Sequence, residues 1–165
     1  NFAKQVTNGA IPMGGVVATD AFYQTFMEAG GPHYAVEFPH GHTYSAHPVA
    51  CAAGLAAMDL LEREHAMERV GELAPILETA VHALRGAPHV TDIRNYGLAA
   101  GLTLAPYPGE IARRPFEVAM ACWRKGFYVR FGVDTLQLAP PFISTPAQID
   151  SLVNALGEAL HEQAP

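Results

Sequence analysis

The sequence is poor in basic residues, with 10 lysines and arginines against 16 aspartates and glutamates among its 165 residues. Its formal net charge at pH 7 is -6, and no stretch rich in lysine or arginine interrupts this balance. Nucleic-acid binding depends on cationic groups that neutralise phosphates and release their counterions. We therefore expect no nucleic acid among the partners of this chain.

Long apolar runs and cysteines are also scarce. The longest run of small apolar residues, Val49–Met58, is much shorter than the roughly 20 residues of a membrane helix. The two cysteines, Cys51 and Cys122, are too few for a disulfide framework. The first residues show no basic-then-apolar signal pattern. These features predict a cytoplasmic protein without membrane contact, and the apolar start of the sequence predicts a chain that begins within a fold.

Half of the residues are apolar and 16% are charged, a composition typical of globular proteins. In the first part of the chain, the nearly continuous apolar run Gly14–Thr19 predicts a strand that is buried on both faces of a parallel sheet. Asp20 then caps a short helix. Pro48 begins a helix with a face of small side chains, which we expect to pack closely against another element or subunit.

The second part of the chain alternates between strand and helix patterns. Its predicted elements are a helix over 66–85, strands over 90–95 and 98–105, a helix from Arg114, strands over 127–131 and 135–138, and a last helix introduced by the capping box of Thr145 and Gln148. This order predicts an α/β protein in which residues 1–64 end one α/β layer and residues 65–165 form a small α+β domain.

Lysine is rare, with Lys4 and Lys125 as the two examples. Lys125 lies beside Gly126 at a predicted helix C-terminus, where a solvated capping role explains it. Lys4 follows apolar residues and precedes the turn-forming residues 7–9. An apolar neighbourhood favours a neutral amine, the nucleophile that forms Schiff bases. From position alone, an ordinary lysine at the end of a strand remains an alternative.

Residues 2–16 resemble the lysine segment of the class III aminotransferases, in which a lysine, a glycine, a proline and a second glycine stand at fixed spacing. The matching residues here are Lys4, Gly9, Pro12 and Gly14. The resemblance implies that the chain is the C-terminal portion of a fold-type-I pyridoxal-phosphate transferase, comprising the end of the large-domain sheet and a small C-terminal domain. It also implies that pyridoxal 5'-phosphate is the cofactor and that Lys4 is the catalytic residue that binds it.

Residues 40–48 form a second block of interest. A hydroxyl group and backbone N–H groups just before a helix are suited to binding phosphate, although a Thr or Ser that caps the helix is an alternative. The block resembles the glycine-aromatic-threonine loop of the same family. The resemblance implies that Thr43, with the backbone of His42, binds the phosphate of a cofactor held by the neighbouring subunit, in a homodimer or higher oligomer with shared active sites.

Several histidines in this region suggest a metal site as a further hypothesis. His40 and His42 together with Cys51 are possible zinc ligands by residue type. The sequence has no repeated Cys-x-x-Cys spacing and no His-Glu-x-x-His spacing. We therefore expect no metal site and interpret these histidines as parts of the loop structure.

Arg130 lies among aromatic residues in a predicted strand. A guanidinium group binds a carboxylate with two parallel hydrogen bonds, whereas an edge-strand arginine with its charge in water is an equal alternative on pattern alone. Segments 37–41 and 92–99 are similar to the β-alanine (ω-amino acid):pyruvate branch of the family, so the resemblance covers essentially the whole chain. It implies that Arg130 binds the substrate carboxylate.

The resemblance implies transamination between an ω-amino acid or amine, such as β-alanine, and pyruvate. Members of the family are much longer, so the remaining N-terminal part of the enzyme is an expected partner of this chain. It would contain the other cofactor-binding groups, and we expect the isolated chain to be inactive. Alternatives are another class III specificity (ornithine, γ-aminobutyrate, or a decarboxylating or mutase member) and a catalytically silent fragment with assembly roles.

Overall fold

The computed structural model describes residues 1–34 and 40–163, which excludes most of the predicted family segment 37–41. The chain divides into two compact units, Asn1–Glu64 and His65–Pro165. The elements of the first unit are β1 (Phe2–Ala3), a 3-10 helix (Lys4–Thr7), β2 (Gly14–Gly15), α1 (Asp20–Glu28) and α2 (Pro48–Arg63). Those of the second unit are α3 (Ala66–His82), β3 (Val90–Tyr96), β4 (Ala99–Leu104), α4 (Arg113–Arg124), β5 (Arg130–Gly132), β6 (Thr135–Leu138) and α5 (Pro146–Glu162).

The strand predicted over Gly14–Thr19 is wrong in both extent and type. The structure contains only the two-residue strand β2, which pairs antiparallel with β1. Val16 and Val17 are 75% and 80% exposed. A buried parallel strand needs neighbouring strands and helices on both faces, and among the described residues of the first unit β1 is the only strand that pairs with β2. Thr19 instead caps α1, with its hydroxyl oxygen accepting the N–H of Phe22.

The small-residue face of α2 packs closely, as predicted. Ala50 and Gly54 are buried, and the helix lies against the 3-10 helix Lys4–Thr7. A Cβ atom added at Gly54 would lie 3.6 Å from the carbonyl oxygen of Val6 and 3.4 Å from Met13 Sδ. These are ordinary van der Waals distances, so the 3-10 helix Lys4–Thr7 and Met13 leave room at this position for a methyl group but not for a larger side chain.

The second unit contains a four-stranded antiparallel sheet with the strand order β3-β4-β6-β5. Side chains alternate between the two faces of a strand. Leu102, Leu104 and Leu136 point from the central strands into the core and have no exposed surface. Residues of three helices complete this core, among them Leu77 and Val81 of α3, Val118 and Cys122 of α4, and Ile149, Leu156 and Leu160 of α5.

The predicted helix boundaries are confirmed where a local signal fixes them. Thr145 is the N-cap of α5 and forms the predicted capping box, in which the side chains of Thr145 and Gln148 each accept the other residue's backbone N–H. Gly126 follows α4 with a φ of +90°, as expected of a residue just beyond a helix end. The helix predicted to reach residue 85 ends at His82. Hydrogen bonds between residues three apart replace the α-helical pattern beyond that point.

We predict that Thr145→Ala lowers the free energy of unfolding of the second unit by about 1 kcal/mol, because the substitution removes one side of the capping box. Urea unfolding followed by the fluorescence of Trp123, the single tryptophan, measures this change. Ser151→Ala is the control, since Ser151 lies inside α5 and its hydroxyl donates to the carbonyl of Ala147. Equal losses in both variants would contradict a capping role.

Candidate functional site

Lys4 lies directly after β1 and begins the 3-10 helix. Its backbone φ is +60°, in the left-handed region that residues other than glycine rarely adopt. The residue is exposed, so the apolar enclosure predicted from its neighbours is wrong for this chain. No hydrogen bond or ion pair involves the ammonium group of Lys4 within residues 1–34 and 40–163. The amine is therefore accessible for a reaction.

Lys125 has a different environment. Its ammonium group forms ion pairs with Glu158 and Glu162 of α5, each at 2.9 Å. Hydrogen bonds to Glu162 and Glu158 raise the pKa of Lys125, which keeps the group protonated at neutral pH. The predicted position at the end of α4 is confirmed, but the side chain is paired rather than solvated. An amine held in two ion pairs is a poor nucleophile, so Lys4 is the better candidate of the two.

The loop that contains Thr43 ends at the first turn of α2. His47 is the N-cap of this helix, and its Nδ1 accepts the N–H of Val49 at 3.2 Å. The alternative in which Thr43 or Ser45 caps the helix is therefore wrong. Among the residues that the structure describes, the hydroxyl group of Thr43 makes no hydrogen bond and is free for a ligand.

The backbone of His42 is already engaged within the loop. Its N–H donates to Ser45 Oγ at 3.1 Å, and its carbonyl accepts the N–H of Ser45 at 2.9 Å. A phosphate group bound by the His42 N–H would have to replace the serine hydroxyl. Thr43 is consequently the stronger of the two predicted phosphate ligands.

Two histidines of this loop lie side by side. The rings of His40 and His42 meet edge to face, with 5.7 Å between their centroids. Across residues 1–34 and 40–163, no group of three or more His, Cys, Asp or Glu residues is arranged to hold a metal ion. Within the same ranges, none of the helices combines the length and apolar character needed to cross a bilayer.

Arg130 belongs to the edge strand β5 and is exposed. It pairs with Gln137 of β6, which in turn pairs with Gly101 of β4. The following residue, Phe131, contacts the ring of Phe116 in α4, with 5.5 Å between the centroids. No described residue offers a carboxylate or another hydrogen-bond partner to the guanidinium group of Arg130. The group is therefore available to an external anion.

A polar network on the same sheet face was not predicted from the sequence. Arg94 Nη1 donates to Asp92 Oδ2 at 2.7 Å and to Thr103 Oγ1 at 2.9 Å. Its Nη2 reaches Thr135 Oγ1 on β6 at 3.5 Å. Arg94 pairs with Gly101, so it belongs to the same cross-strand row as Arg130. The network connects three of the four strands beside the candidate carboxylate-binding residue.

These features can be compared with known proteins. A model of the family "Aminotransferase class-III" matches residues 1–160. The chain belongs to this family. The match includes the lysine segment, the threonine loop and the strand of Arg130, so it spans both structural units.

Two relatives from Pseudomonas are similar to this class III aminotransferase chain over nearly its whole length. An omega-amino acid–pyruvate aminotransferase of Pseudomonas putida is 59% identical over 97% of the chain. A beta-alanine–pyruvate aminotransferase of Pseudomonas aeruginosa is 56% identical over 98% of the chain. In both cases the chain spans 36% of the length of the relative and corresponds to its C-terminal part.

Solved structures share the same fold. An (S)-enantioselective omega-transaminase from Thermomicrobium roseum superposes with a TM-score of 0.86 and 32% identity, covering 98% of this chain and 36% of that one. The PMP-bound form of an aminotransferase from Vibrio fluvialis gives a TM-score of 0.85 and 32% identity, with coverages of 97% and 36%. The predicted fold class, the C-terminal portion of a fold-type-I transferase, is confirmed.

The candidate residues of this class III aminotransferase chain are divided between the two units. Lys4, His42 and Thr43 belong to the first unit and Arg130 to the second. Lys4 is connected to the loop that contains Thr43 through α2, because the 3-10 helix Lys4–Thr7 packs on this helix and the loop leads into its N-terminus. No hydrogen bond joins Lys4 to His42 or Thr43 in the described part of the chain.

The two cysteines should differ in reactivity. Burial raises the pKa of the Cys122 thiol to about 11, so this thiol is protonated at pH 8. Cys51 is half-buried in α2. We predict that iodoacetamide labels Cys51 about tenfold faster or more at pH 8, because thiolate character and access both control the reaction. Mass spectrometry of tryptic peptides measures the two rates, and equal rates in the folded chain would contradict the prediction.

Proposed function

We propose that this chain supplies the C-terminal part of a pyridoxal-phosphate-dependent aminotransferase that uses an ω-amino acid or amine, such as β-alanine, as donor and pyruvate as acceptor. The observation that carries the proposal is the 59% and 56% identity to the two Pseudomonas relatives along nearly the whole chain. In this proposal, residues 1–64 belong to the cofactor-binding large domain and residues 65–165 form the small C-terminal domain.

The free groups of the first unit suit pyridoxal 5'-phosphate. Lys4 offers an accessible amine, and Thr43 offers an unpaired hydroxyl group ahead of the N-terminus of α2. The N-terminal end of a helix favours an anion, because its N–H groups and dipole both point toward it. When bound, the cofactor supplies the electron sink for the negative charge that develops at the substrate carbon.

Lys4 has two roles in this proposal. Its Nζ would hold the cofactor when no donor amine is bound. With a donor bound, the free amine of Lys4 would accept the proton from the substrate carbon as a general base. Lys4 is exposed in this chain. This exposure supports a role in which its amine contacts groups that lie outside residues 1–64.

Thr43 anchors the phosphate group through its hydroxyl hydrogen, and the His42 N–H makes a weaker contribution because Ser45 already accepts it. The bound phosphate belongs to the cofactor of a neighbouring subunit, so we propose a homodimer or higher oligomer with shared active sites. The remaining N-terminal part of the enzyme provides the other groups of the site. The isolated chain is consequently proposed to be inactive, and the whole enzyme to be cytoplasmic.

Arg130 orients the carboxylate of pyruvate by a two-fold hydrogen bond from its guanidinium group. The geometry supports this role of Arg130, since the residue lies on a sheet edge and has no carboxylate partner among the described residues. A second candidate function is another amino donor within the same family. A putrescine–pyruvate aminotransferase of Pseudomonas aeruginosa, 36% identical over 98% of the chain, supports this alternative.

The assignment of Lys4 is tested by borohydride reduction of the full-length holoenzyme. Reduction fixes the cofactor to the residue that holds it, and peptide mass mapping then locates the adduct. We expect the adduct on Lys4 because Lys125 is held in ion pairs with two glutamates. Lys125→Arg is the control and should leave the adduct unchanged, whereas an adduct on Lys125 would refute the proposal.

For Arg130 we predict that Arg130→Ala in the full-length enzyme lowers kcat/KM for pyruvate by about a hundredfold, because a charge-assisted pair of hydrogen bonds contributes a few kcal/mol. A donor amine without a carboxylate should lose much less in its half-reaction. Arg124→Ala, at an exposed position in α4, is the matched control. Equal losses for pyruvate and for the carboxylate-free donor would make Arg130 a structural residue.

A further inference from the structure

The turn that contains Lys4 has an unusual backbone. Lys4, Asn8 and Gly9 all have positive φ angles, of 60°, 50° and 76°. Residues other than glycine avoid this region because their Cβ atom approaches the following carbonyl oxygen. Such a conformation persists only where the surrounding structure enforces it. Within the first unit, a hydrogen bond of Thr7 and the packing on α2 hold the turn.

Thr7 closes the turn from the inside. Its side chain is 2% exposed, and its Oγ1 donates a 2.6 Å hydrogen bond to the carbonyl oxygen of Ile11. Its own carbonyl accepts the N–H of Ala10 at 3.0 Å. Thr7 is the one buried polar residue in the described part of the first unit. A buried hydroxyl group without a partner is unfavourable, so this hydrogen bond fixes residues 7–11 relative to one another.

Helix α2 holds the turn from the outside. The carbonyl of Val6 and the sulfur of Met13 lie 3.6 Å and 3.4 Å from the position of a Cβ at Gly54. A methyl group at this position would be in ordinary van der Waals contact, and a larger side chain would displace one of its neighbours. The turn is thus held between an internal hydrogen bond and a helix surface, both within residues 1–64.

We propose that Thr7 is a positioning residue for the aminotransferase reaction. Its hydrogen bond to Ile11 holds the turn so that Lys4 Nζ leaves it in the direction needed to reach the substrate carbon. This inference rests on the proposed role of Lys4 and adds a residue that acts through it. A misplacement of about 1 Å at a reacting group lowers a rate by about a hundredfold, so a single hydrogen bond in the turn is enough to change the rate measurably.

The test uses the full-length enzyme loaded with pyridoxal phosphate and three variants. Thr7→Val removes the hydroxyl group while keeping the shape, and Thr7→Ser keeps the hydroxyl group. Thr25→Val is the matched control, because Thr25 Oγ1 makes a similar 2.8 Å hydrogen bond to the carbonyl of Ala21 on the exposed helix α1. We expect Thr7→Val to lower kcat about tenfold or more with little change in KM, and Thr7→Ser and Thr25→Val to stay within about threefold of the unchanged enzyme.

A Thr7→Val enzyme with unchanged kcat, or a Thr7→Ser enzyme as slow as Thr7→Val, would overturn the proposal. Borohydride mapping of the unchanged enzyme separates the two hypotheses. An adduct on a residue other than Lys4 would refute the proposed function itself. An adduct on Lys4 together with a fully active Thr7→Val enzyme would refute the role of Thr7 alone.

If Thr7→Val does not fold, substitutions at Gly54 test the same turn from the side of α2. Gly54→Ala adds only the Cβ that the structure accommodates and is expected to keep kcat. Gly54→Val adds branched methyl groups against the carbonyl of Val6 and is expected to lower kcat about tenfold with little change in KM. Full activity of Gly54→Val would then overturn the proposal that the position of the turn limits the rate.

Discussion

The burial of one face of the four-stranded sheet determines the arrangement of the second unit. Leu102 and Leu136 face the helices and are completely buried. Side chains alternate along a strand. The residues next to Leu102 in β4 and next to Leu136 in β6 therefore point to the opposite face of the sheet. Arg94 and Arg130 occupy that opposite face in a single cross-strand row. The apolar core therefore fixes the face of the sheet on which Arg94 and Arg130 lie.

Local signals predicted the elements of the second unit well. The capping box of α5 depends on residues three apart, and the glycine after α4 adopts the conformation that ends a helix. The run Gly14–Thr19 was misleading because an apolar β-branched segment has the same pattern in a buried strand and in an extended connection. A buried strand differs from an extended connection in having neighbouring strands. The described residues contain no strand that pairs with Val16 or Val17.

The candidate site shows the same division between local and distant information. The resemblance of residues 2–16 and 40–48 to the class III aminotransferases selected Lys4 and Thr43 as candidates, and their roles stay predictions. Thr7 appeared in the sequence only as part of a turn, because neither its burial nor its hydrogen bond to Ile11 follows from composition. The contact from Arg94 to Thr135 joins residues 41 positions apart, and it depends on the register of three strands.

Gly101 has a consequence for how this sheet can vary among related sequences. A Cβ at this position would lie 3.6 Å from the guanidinium carbon of Arg94 and 3.5 Å from the methyl group of Thr135. Because Gly101 has no side chain, the side chain of Arg94 can extend across β4 from β3 to β6. A bulky residue at 101 would block this path and leave Asp92 without its cation. Positions 94 and 101 should accordingly change together, so that relatives with a large residue at 101 replace the arginine and its aspartate partner as well.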